Sequence, residues 1–232
     1  MKKMIIASTS TVYGSTYLEY ILPELAVFFK EVKEILFIPY ARPGGMTYEE
    51  YTEVVREAFT KIDKQVKGIH EFEGSKIAIQ NAEAIFVGGG NTFVLVDTLY
   101  KDYLFTEIVN AVEGGTLYFG TSAGSNITGV NMKTTNDMPI VYPPDFKTLG
   151  LIDFNLNPHY LDADLKSKHK GETRETRIKE FHFYNDIPVL GLREGSWLDV
   201  KGEEIVLKGD LSAKLFLKNK NAKELHPGII DF

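Results

Sequence analysis

The first 130 residues alternate short apolar runs with longer amphipathic stretches, and this alternation constrains the fold more than any other feature. Parallel strands need long crossover connections, which are usually helices, because a tight turn joins only antiparallel strands. The pattern therefore predicts an α/β fold with a mostly parallel central sheet flanked by helices on both faces. The predicted strands are 4–8, 35–40, 84–87 and 116–119, and the predicted helices are 17–30, 48–62, 92–103 and 106–112. Thr47 and Glu50 form a capping-box pattern at the start of the second helix.

The last third of the chain follows a different pattern. Three closely spaced prolines interrupt regular structure between residues 139 and 144, after which we predict a strand at 152–157 and a helix at 173–183. Short apolar runs separated by turn residues then predict a small antiparallel extension at the C-terminal end. Its strands are expected at 189–193, 197–201, 205–208 and 215–218. The sequence contains no repeat or linker, so we expect residues 1–232 to form a single domain.

Charge and composition limit the partners of the chain. A formal net charge of −6 over 232 residues, with no basic run, argues against nucleic acid or an anionic membrane, so we expect a small molecule or a peptide. Cysteine is absent, which excludes a thiolate nucleophile and fits a reducing cytosol. No apolar run is long enough to span a bilayer, so we expect a soluble cytoplasmic protein. The sequence leaves open whether it is a monomer or a homodimer.

The segment Gly-Thr-Ser-Ala-Gly at 120–124 follows a predicted strand and precedes a possible helix start. Small residues on both sides allow Ser122 to occupy a crowded turn with its hydroxyl exposed, as a serine nucleophile requires. The pattern is short, and a plain strand-to-helix loop uses the same residue types. Ser122 is therefore a candidate nucleophile, and the Ala123 N–H would face an oxyanion formed there.

A second glycine-rich turn, 88–91, follows the strand predicted at 84–87. Ligands of open α/β sheets bind outside the carboxyl ends of the strands, so both turns are expected to border one site. The Gly90 N–H is the candidate second donor of an oxyanion hole. Asn91, which closes the turn, is assigned to substrate binding. A phosphate cradle or a simple tight turn is the alternative interpretation of these glycines.

A serine nucleophile needs a base, and the base needs an acceptor that fixes its tautomer. Among the five histidines, His159 stands out because it follows a predicted strand and a proline at the same sheet edge. Two carboxylates compete to orient it. Glu194 ends a predicted strand and precedes a glycine, whereas Asp137 lies in an irregular segment and can form an Asx turn. Spacing alone does not choose between them, and we favour Glu194.

Arg174 occupies the first turn of the helix that Thr173 can cap. A cation there opposes the helix dipole, which costs about 0.3–1 kcal/mol unless an anion lies nearby. A substrate carboxylate bound by two hydrogen bonds would supply that anion. A surface ion pair with a neighbouring glutamate explains the position equally well.

These residues resemble the aspartyl dipeptidase, or peptidase E, family of serine peptidases, whose fold is similar to that of class I glutamine amidotransferases. The resemblance extends from the first strand to near the C-terminus and rests on six motifs in the same order. They are VGGGNTF at 87–93, GTSAGSN at 120–126, TTNDMPIV at 134–141, NPHY at 157–160, HKGETRE at 169–175 and GLREGSW at 191–197.

The resemblance implies a triad of Ser122 as nucleophile, His159 as general base and then acid, and Glu194 as the residue that orients the imidazole. The family's third member has been assigned both to the position of Asp137 and to that of Glu194, so this choice stays open. The implied reaction is hydrolysis of Asp-Xaa dipeptides through an acyl-enzyme, without a metal or organic cofactor.

For the substrate, the resemblance implies that Arg174 binds the side-chain carboxylate of an N-terminal aspartate. It also implies that the N–H groups of Gly90 and Ala123 form the oxyanion hole. Glu172, beside Arg174 in the sequence, is the candidate partner of the substrate α-ammonium group.

The chain departs from the family pattern at Thr121, Ser125 and Arg193, which replace an aromatic, a small apolar residue and a proline respectively. These changes leave the triad residues in place and bear on the shape of the pocket. Two other functions remain open: a hydrolase of aspartyl polymers such as a cyanophycinase, and a catalytically silent module that senses an aspartyl ligand.

Overall fold

The computed structural model describes residues 1–164, 166, 168 and 171–231. The strands in these residues are β1 (Lys3–Ala7), β2 (Glu34–Ile38), β3 (Gln65–Gly68), β4 (Ala84–Val87), β5 (Leu117–Thr121), β6 (Asn155–Pro158), β7 (Val189–Leu192), β8 (Trp197–Lys201), β9 (Glu204–Lys208), β10 (Ala213–Phe216), β11 (Lys223–Leu225) and β12 (Gly228–Ile229). The α-helices are α1 (Leu22–Phe28), α2 (Tyr48–Thr60), α3 (Ser75–Gln80), α4 (Thr92–Lys101), α5 (Phe105–Gly114), α6 (Ala123–Asn126) and α7 (Arg174–Tyr184).

The larger sheet has eight strands in the order β12-β9-β8-β1-β5-β4-β2-β3. Strands β1, β5, β4, β2 and β3 are parallel, whereas β8, β9 and β12 continue the sheet antiparallel beyond β1. In the register of the sheet, Thr121 lies opposite Ala7, and Gly120 lies opposite Val87. The carboxyl ends of β1, β4 and β5 therefore meet at one edge, as predicted for the two glycine turns.

Apolar side chains cover both faces of this sheet, which confirms the predicted α/β architecture. Helices α1 and α2 pack on one face through residues such as Leu25 and Phe59. Helices α3 to α6 pack on the other face through residues such as Leu95 and Ile127. The capping box at the start of α2 is present, since Thr47 Oγ1 accepts from the Glu50 N–H and Glu50 accepts from the Thr47 N–H.

The C-terminal strands divide between two sheets. The expected antiparallel extension is present, because β8 and β9 pair antiparallel at the edge of the large sheet. Strand β7 instead joins β6 in parallel and β10 antiparallel, in a four-stranded sheet of order β11-β10-β7-β6. This second sheet positions the site, because β6 leads into residue 159 and β7 leads towards residue 194.

Among the described residues, no helix is both long enough and apolar enough to cross a bilayer.

Candidate active site

Ser122 lies between β5 and α6 with φ 51° and ψ −108°, a backbone conformation that non-glycine residues rarely adopt. Its neighbours are small because the chain is crowded there. A Cβ atom on Gly124 would collide with the Val87 carbonyl oxygen, and one on Gly120 would lie 2.6 Å from the Gly124 carbonyl oxygen. The Ser122 carbonyl accepts from the Asn126 N–H at 2.8 Å, which begins α6. Packing therefore holds the serine on a strained turn at the sheet edge.

His159 follows β6 and joins the serine to a carboxylate. Its Nε2 lies 2.8 Å from Ser122 Oγ, and its Nδ1 lies 2.6 Å from Glu194 Oε1. Both distances are those of hydrogen bonds. With the proton on Nδ1 held by the carboxylate, Nε2 is free to accept the serine proton. The structure thus brings Ser122, His159 and Glu194 together in the order that a base-activated nucleophile requires.

The backbone of His159 has φ 54°, and a hydrogen bond from its N–H to a buried serine holds it in place. Ser8, at the carboxyl end of β1, accepts from the His159 N–H at 2.9 Å and donates to the Leu192 carbonyl at 2.7 Å. The same carbonyl accepts from the Tyr160 N–H at 3.1 Å. Ser8 was not among the predicted site residues. Its one available signal was a small hydroxyl residue ending a strand at the edge where the glycine turns lie.

Asp137, the alternative orienting carboxylate, lies at the start of α4. Its Oδ2 accepts from the Thr92 N–H at 2.7 Å and from Thr135 Oγ1 at 2.9 Å. A carboxylate at a helix N-terminus satisfies a free N–H group and interacts favourably with the dipole. Glu194 is the carboxylate that accepts from His159 Nδ1, and Asp137 instead supports the helix that begins after the glycine turn.

The glycine turn lies against the serine elbow. A Cβ atom on Gly89 would lie 3.0 Å from Ser122 Cβ, so a side chain there would crowd the serine. Gly90 has φ 143°, and a Cβ atom there would collide with the Ala41 carbonyl oxygen. Within the part of the chain that the structure describes, the N–H groups of Gly90 and Ala123 donate to no backbone carbonyl. Two amides beside the serine are therefore available to a ligand.

Arg174 is partly buried at the first position of α7, after Thr173, whose Oγ1 caps the helix by accepting from the Thr176 N–H. Burial lowers the pKa of the Arg174 guanidinium, and the nearby Arg177 adds to this effect, whereas Asp137 opposes it. Among residues 1–164, 166, 168 and 171–231, no acceptor or carboxylate pairs with Arg174. A desolvated cation without a partner favours an anionic ligand.

The other two residues predicted to bind substrate have protein partners. Glu172 is exposed, and its Oε2 lies 3.8 Å from Arg177 Nε. Asn91 caps α4 by accepting from the Val94 N–H at 3.2 Å, and its Nδ2 donates to the Met138 carbonyl at 2.9 Å. The Asn91 side chain therefore shapes the turn and the adjoining loop.

Two of the three departures from the family pattern, Arg193 and Ser125, have local explanations, and nothing in the structure explains Thr121. Arg193 Nη2 pairs with Asp162 at 2.7 Å and Glu224 at 2.8 Å, so its charge is neutralised away from the site. The hydrogen bond to Glu224 raises the pKa of the Arg193 guanidinium, and the hydrogen bond to Asp162 contributes a smaller increase. Ser125 Oγ lies 2.6 Å from the Ala7 carbonyl and 2.8 Å from the Gly120 carbonyl, tying α6 to the sheet. Thr121 is fully buried beneath the elbow.

One cluster in the described residues has donor atoms spaced for a metal ion. Glu49, His70 and Glu71 bring ligand atoms within 4.8 Å of one another. Arg56 donates to Glu49 at 3.1 Å and to Glu71 at 2.7 Å. Because a cation already neutralises these carboxylates, the cluster is better described as an ion-pair network than as a metal centre.

A serine on a strained turn, hydrogen-bonded through a histidine to a carboxylate, is the arrangement of serine hydrolases. The profile of peptidase family S51 matches residues 4–208. The chain belongs to this family.

Named relatives agree with this assignment. A peptidase E of Streptomyces coelicolor is 46% identical over 97% of this chain and 91% of its own length. A probable alpha-aspartyl dipeptidase of Drosophila melanogaster is 44% identical over 97% of this chain and 94% of its own length.

Two solved structures share the fold. A putative peptidase E from Listeria monocytogenes superposes with a TM-score of 0.68 at 23% identity, covering 90% of this chain and 98% of its own. A peptidase from an acI-B1 actinobacterium gives a TM-score of 0.74 at 17% identity, covering 100% of this chain and 97% of its own.

Proposed function

We propose that this protein is a serine dipeptidase that hydrolyses dipeptides with an N-terminal L-aspartate. The observation that carries the proposal is the hydrogen-bonded chain from Ser122 Oγ through His159 to Glu194. The substrate class is supported by the relatives named peptidase E and alpha-aspartyl dipeptidase, which align over nearly the whole chain.

In the proposed mechanism, His159 Nε2 takes the proton of Ser122 as Oγ attacks the carbonyl carbon of the aspartyl residue. Glu194 keeps the imidazole in the reactive tautomer and stabilises the imidazolium that forms. The C–N bond then breaks as His159 returns the proton to the leaving amine. Water, activated by the same imidazole, attacks the aspartyl ester on Ser122 and releases free aspartate.

The N–H groups of Gly90 and Ala123 are the proposed oxyanion-hole donors. Neither donates to a backbone carbonyl in the described residues, and the glycine turn lies against the serine. Such donors act where negative charge develops on the carbonyl oxygen, and losing one costs about 2.7–4 kcal/mol of transition-state stabilisation.

Arg174 is the proposed partner of the substrate side-chain carboxylate. Its partial burial supports this role, as does the lack of a paired carboxylate among the residues that the structure describes, because an incoming carboxylate restores the electrostatic stabilisation lost on desolvation. Glu172 is the proposed partner of the α-ammonium group, since its carboxylate is exposed and, among the described residues, makes only a long contact with Arg177. We further propose that residues 1–232 act as one peptidase domain in the cytoplasm, in keeping with the absence of cysteine.

The experiment that tests the substrate class compares hydrolysis of Asp-Leu, Asn-Leu, Glu-Leu and acetyl-Asp-Leu by the purified protein. Selective cleavage of Asp-Leu supports recognition of both the side-chain carboxylate and the free amine. Cleavage of acetyl-Asp-Leu at the same rate would remove the proposed role of Glu172. Failure to cleave any of them, in a folded protein, would contradict the dipeptidase proposal and favour a polymer substrate or a silent ligand-binding module.

A further inference from the structure

The glycine turn after β4 is hydrogen-bonded to the end of β2 and to the residues that follow it. The Gly88 N–H donates to the Ile38 carbonyl at 3.2 Å, and the Asn91 N–H donates to the Ala41 carbonyl at 2.7 Å. Between these two bonds lies the peptide unit that contains the Gly89 carbonyl and the Gly90 N–H. Backbone hydrogen bonding in the described residues leaves the orientation of this unit unfixed.

A buried tyrosine side chain binds that peptide unit. Tyr51, on α2, is 1% exposed, and its hydroxyl donates to the Gly89 carbonyl at 3.2 Å. The ring lies directly beneath the turn, since a Cβ atom on Gly88 would come within 2.7 Å of the hydroxyl. Phe37 packs against the ring edge to face, with centroids 5.0 Å apart. The donor therefore has a fixed position.

The direction of the Gly89 carbonyl determines the direction of the Gly90 N–H. In a trans peptide the two groups point to opposite sides of the chain. Tyr51 belongs to the apolar cluster on the α1 and α2 face of the sheet, and Ala123 belongs to the cluster on the opposite face. With its carbonyl held towards Tyr51, the peptide directs the Gly90 N–H towards the side where Ala123 begins α6.

The turn needs such a restraint because its residues are glycines. Glycine adopts positive and negative φ with similar ease, so rotating a peptide between two glycines meets little steric resistance. The rotated peptide would present the Gly89 carbonyl oxygen where a donor is needed. A carbonyl oxygen there would repel the developing negative charge.

We propose that Tyr51 is a positioning residue that fixes the Gly89–Gly90 peptide with the Gly90 N–H facing the oxyanion. The expected effect on kcat rests on the proposed dipeptidase function. The expected effect on the orientation of the peptide rests on the hydrogen bond from Tyr51 to the Gly89 carbonyl. Tyr51 touches neither the substrate nor Ser122 in this assignment, and it acts through the peptide that it holds.

The test is Tyr51→Phe, which removes one oxygen atom and keeps the packed ring. We expect kcat for Asp-Leu to fall about 10- to 100-fold. Removing one oxyanion donor outright lowers kcat by at least about 100-fold, and the variant retains this donor in a less favourable orientation. KM should stay within about twofold of the wild-type value. In a Ser122→Ala background, the added Tyr51→Phe change should leave the Kd for Asp-Leu unaltered. The matched control is Tyr100→Phe at the far end of α4, where the hydroxyl donates to the Lys147 carbonyl at 3.0 Å.

Crystal structures of the wild type and Tyr51→Phe give a readout independent of activity. We expect one orientation of the Gly89–Gly90 peptide in the wild type, and a rotated or doubly occupied peptide in the variant. An unrotated peptide in the variant overturns the proposal, whatever the kcat of the variant. A loss of kcat accompanied by an equally weakened Kd for Asp-Leu in the Ser122→Ala background also overturns it. If the wild type fails to cleave Asp-Leu, the dipeptidase function fails, while the peptide orientation still tests the role of Tyr51.

Discussion

The Ser8 hydroxyl accepts a hydrogen bond from the His159 N–H at 2.9 Å, although 151 positions separate the two residues in the sequence. Ser8 follows β1 of the large sheet, whereas His159 follows β6 of the second sheet. Because Ser8 also donates to the Leu192 carbonyl, one hydroxyl joins the two sheets at the point where His159 meets Ser122. The alignment of the imidazole thus depends on how the sheets are attached to each other.

Ser8→Ala should lower both stability and activity. The change leaves the His159 N–H and the Leu192 carbonyl without this buried partner, which costs about 1–3 kcal/mol of unfolding free energy. We expect kcat to fall about tenfold, since a loss of 1.4 kcal/mol corresponds to that factor. Urea unfolding and Asp-Leu kinetics measure the two effects. Thr98→Ala, which removes a hydroxyl bond to the Val94 carbonyl within α4, is the control and should retain kcat. A Ser8→Ala enzyme with unchanged kcat would show that Ser8 does not position His159.

Glu194→Gln should reduce kcat far more than Asp137→Asn. The amide keeps the size of Glu194 but no longer stabilises the imidazolium or its tautomer, and loss of an orienting carboxylate costs up to about 10⁴-fold. Asp137→Asn weakens the bond to the Thr92 N–H, so its main effect should be on stability. Steady-state kinetics and thermal unfolding of both variants separate the two roles. An equal or larger kcat loss in Asp137→Asn would reverse the assignment.

Arg174→Ala should abolish the discrimination between Asp-Leu and Asn-Leu. A charge-assisted hydrogen-bonded pair contributes more than a neutral one, so we expect kcat/KM for Asp-Leu to fall about 100-fold and that for Asn-Leu to change little. Lys179→Ala, which removes an exposed cation paired with Glu175 on the same helix, is the control. If Arg174→Ala retained the preference for Asp-Leu, another group would have to bind the carboxylate.

Glu224 provides a pH-dependent contribution to stability. Hydrogen bonding from Arg193 holds the pKa of Glu224 below its ordinary value of 4.5. A carboxyl with a lowered folded pKa stabilises the protein above the unfolded pKa, and this contribution disappears as pH falls through the folded value. Glu224→Gln should therefore lower Tm at pH 7. The difference in Tm between this variant and the wild type should shrink below about pH 4.

Thermal unfolding of Glu224→Gln across this pH range is compared with that of Glu203→Gln, whose carboxylate is 93% exposed. The control should match the wild type throughout. A Glu224→Gln deficit that stays constant down to pH 3 would show that packing, and not the ion pair with Arg193, causes it.

Local sequence determined several elements closely. Helix α2 begins where its capping box predicts, and β4 and β8 have the predicted bounds. The helix predicted at 17–30 is only Leu22–Phe28, because Leu18 has φ 58° and turn structure precedes α1. Short β3 (Gln65–Gly68) was missed, since Val66 is the one apolar side chain among its four residues.

Contacts between distant residues account for what the sequence could not predict. The C-terminal strands share similar local patterns, and only the packed structure shows that β7 and β8 belong to different sheets. The geometry that favours Glu194 over Asp137 likewise depends on distant contacts, since Glu194 lies 2.6 Å from His159 Nδ1 and the Asp137 carboxylate accepts from the Thr92 N–H. Tyr51 is separated from Gly89 by 38 positions, and its sequence context is that of an ordinary helix core residue.

The role of Ser122 as nucleophile is measured by Asp-Leu hydrolysis with the wild type and Ser122→Ala side by side, with Ser15→Ala as a control serine outside the proposed site. We expect the wild type and Ser15→Ala to cleave Asp-Leu at equal rates, and Ser122→Ala to bind it without cleaving it. Cleavage by folded Ser122→Ala at the wild-type rate would exclude Ser122 as the nucleophile, because no acyl-enzyme could then form on this residue.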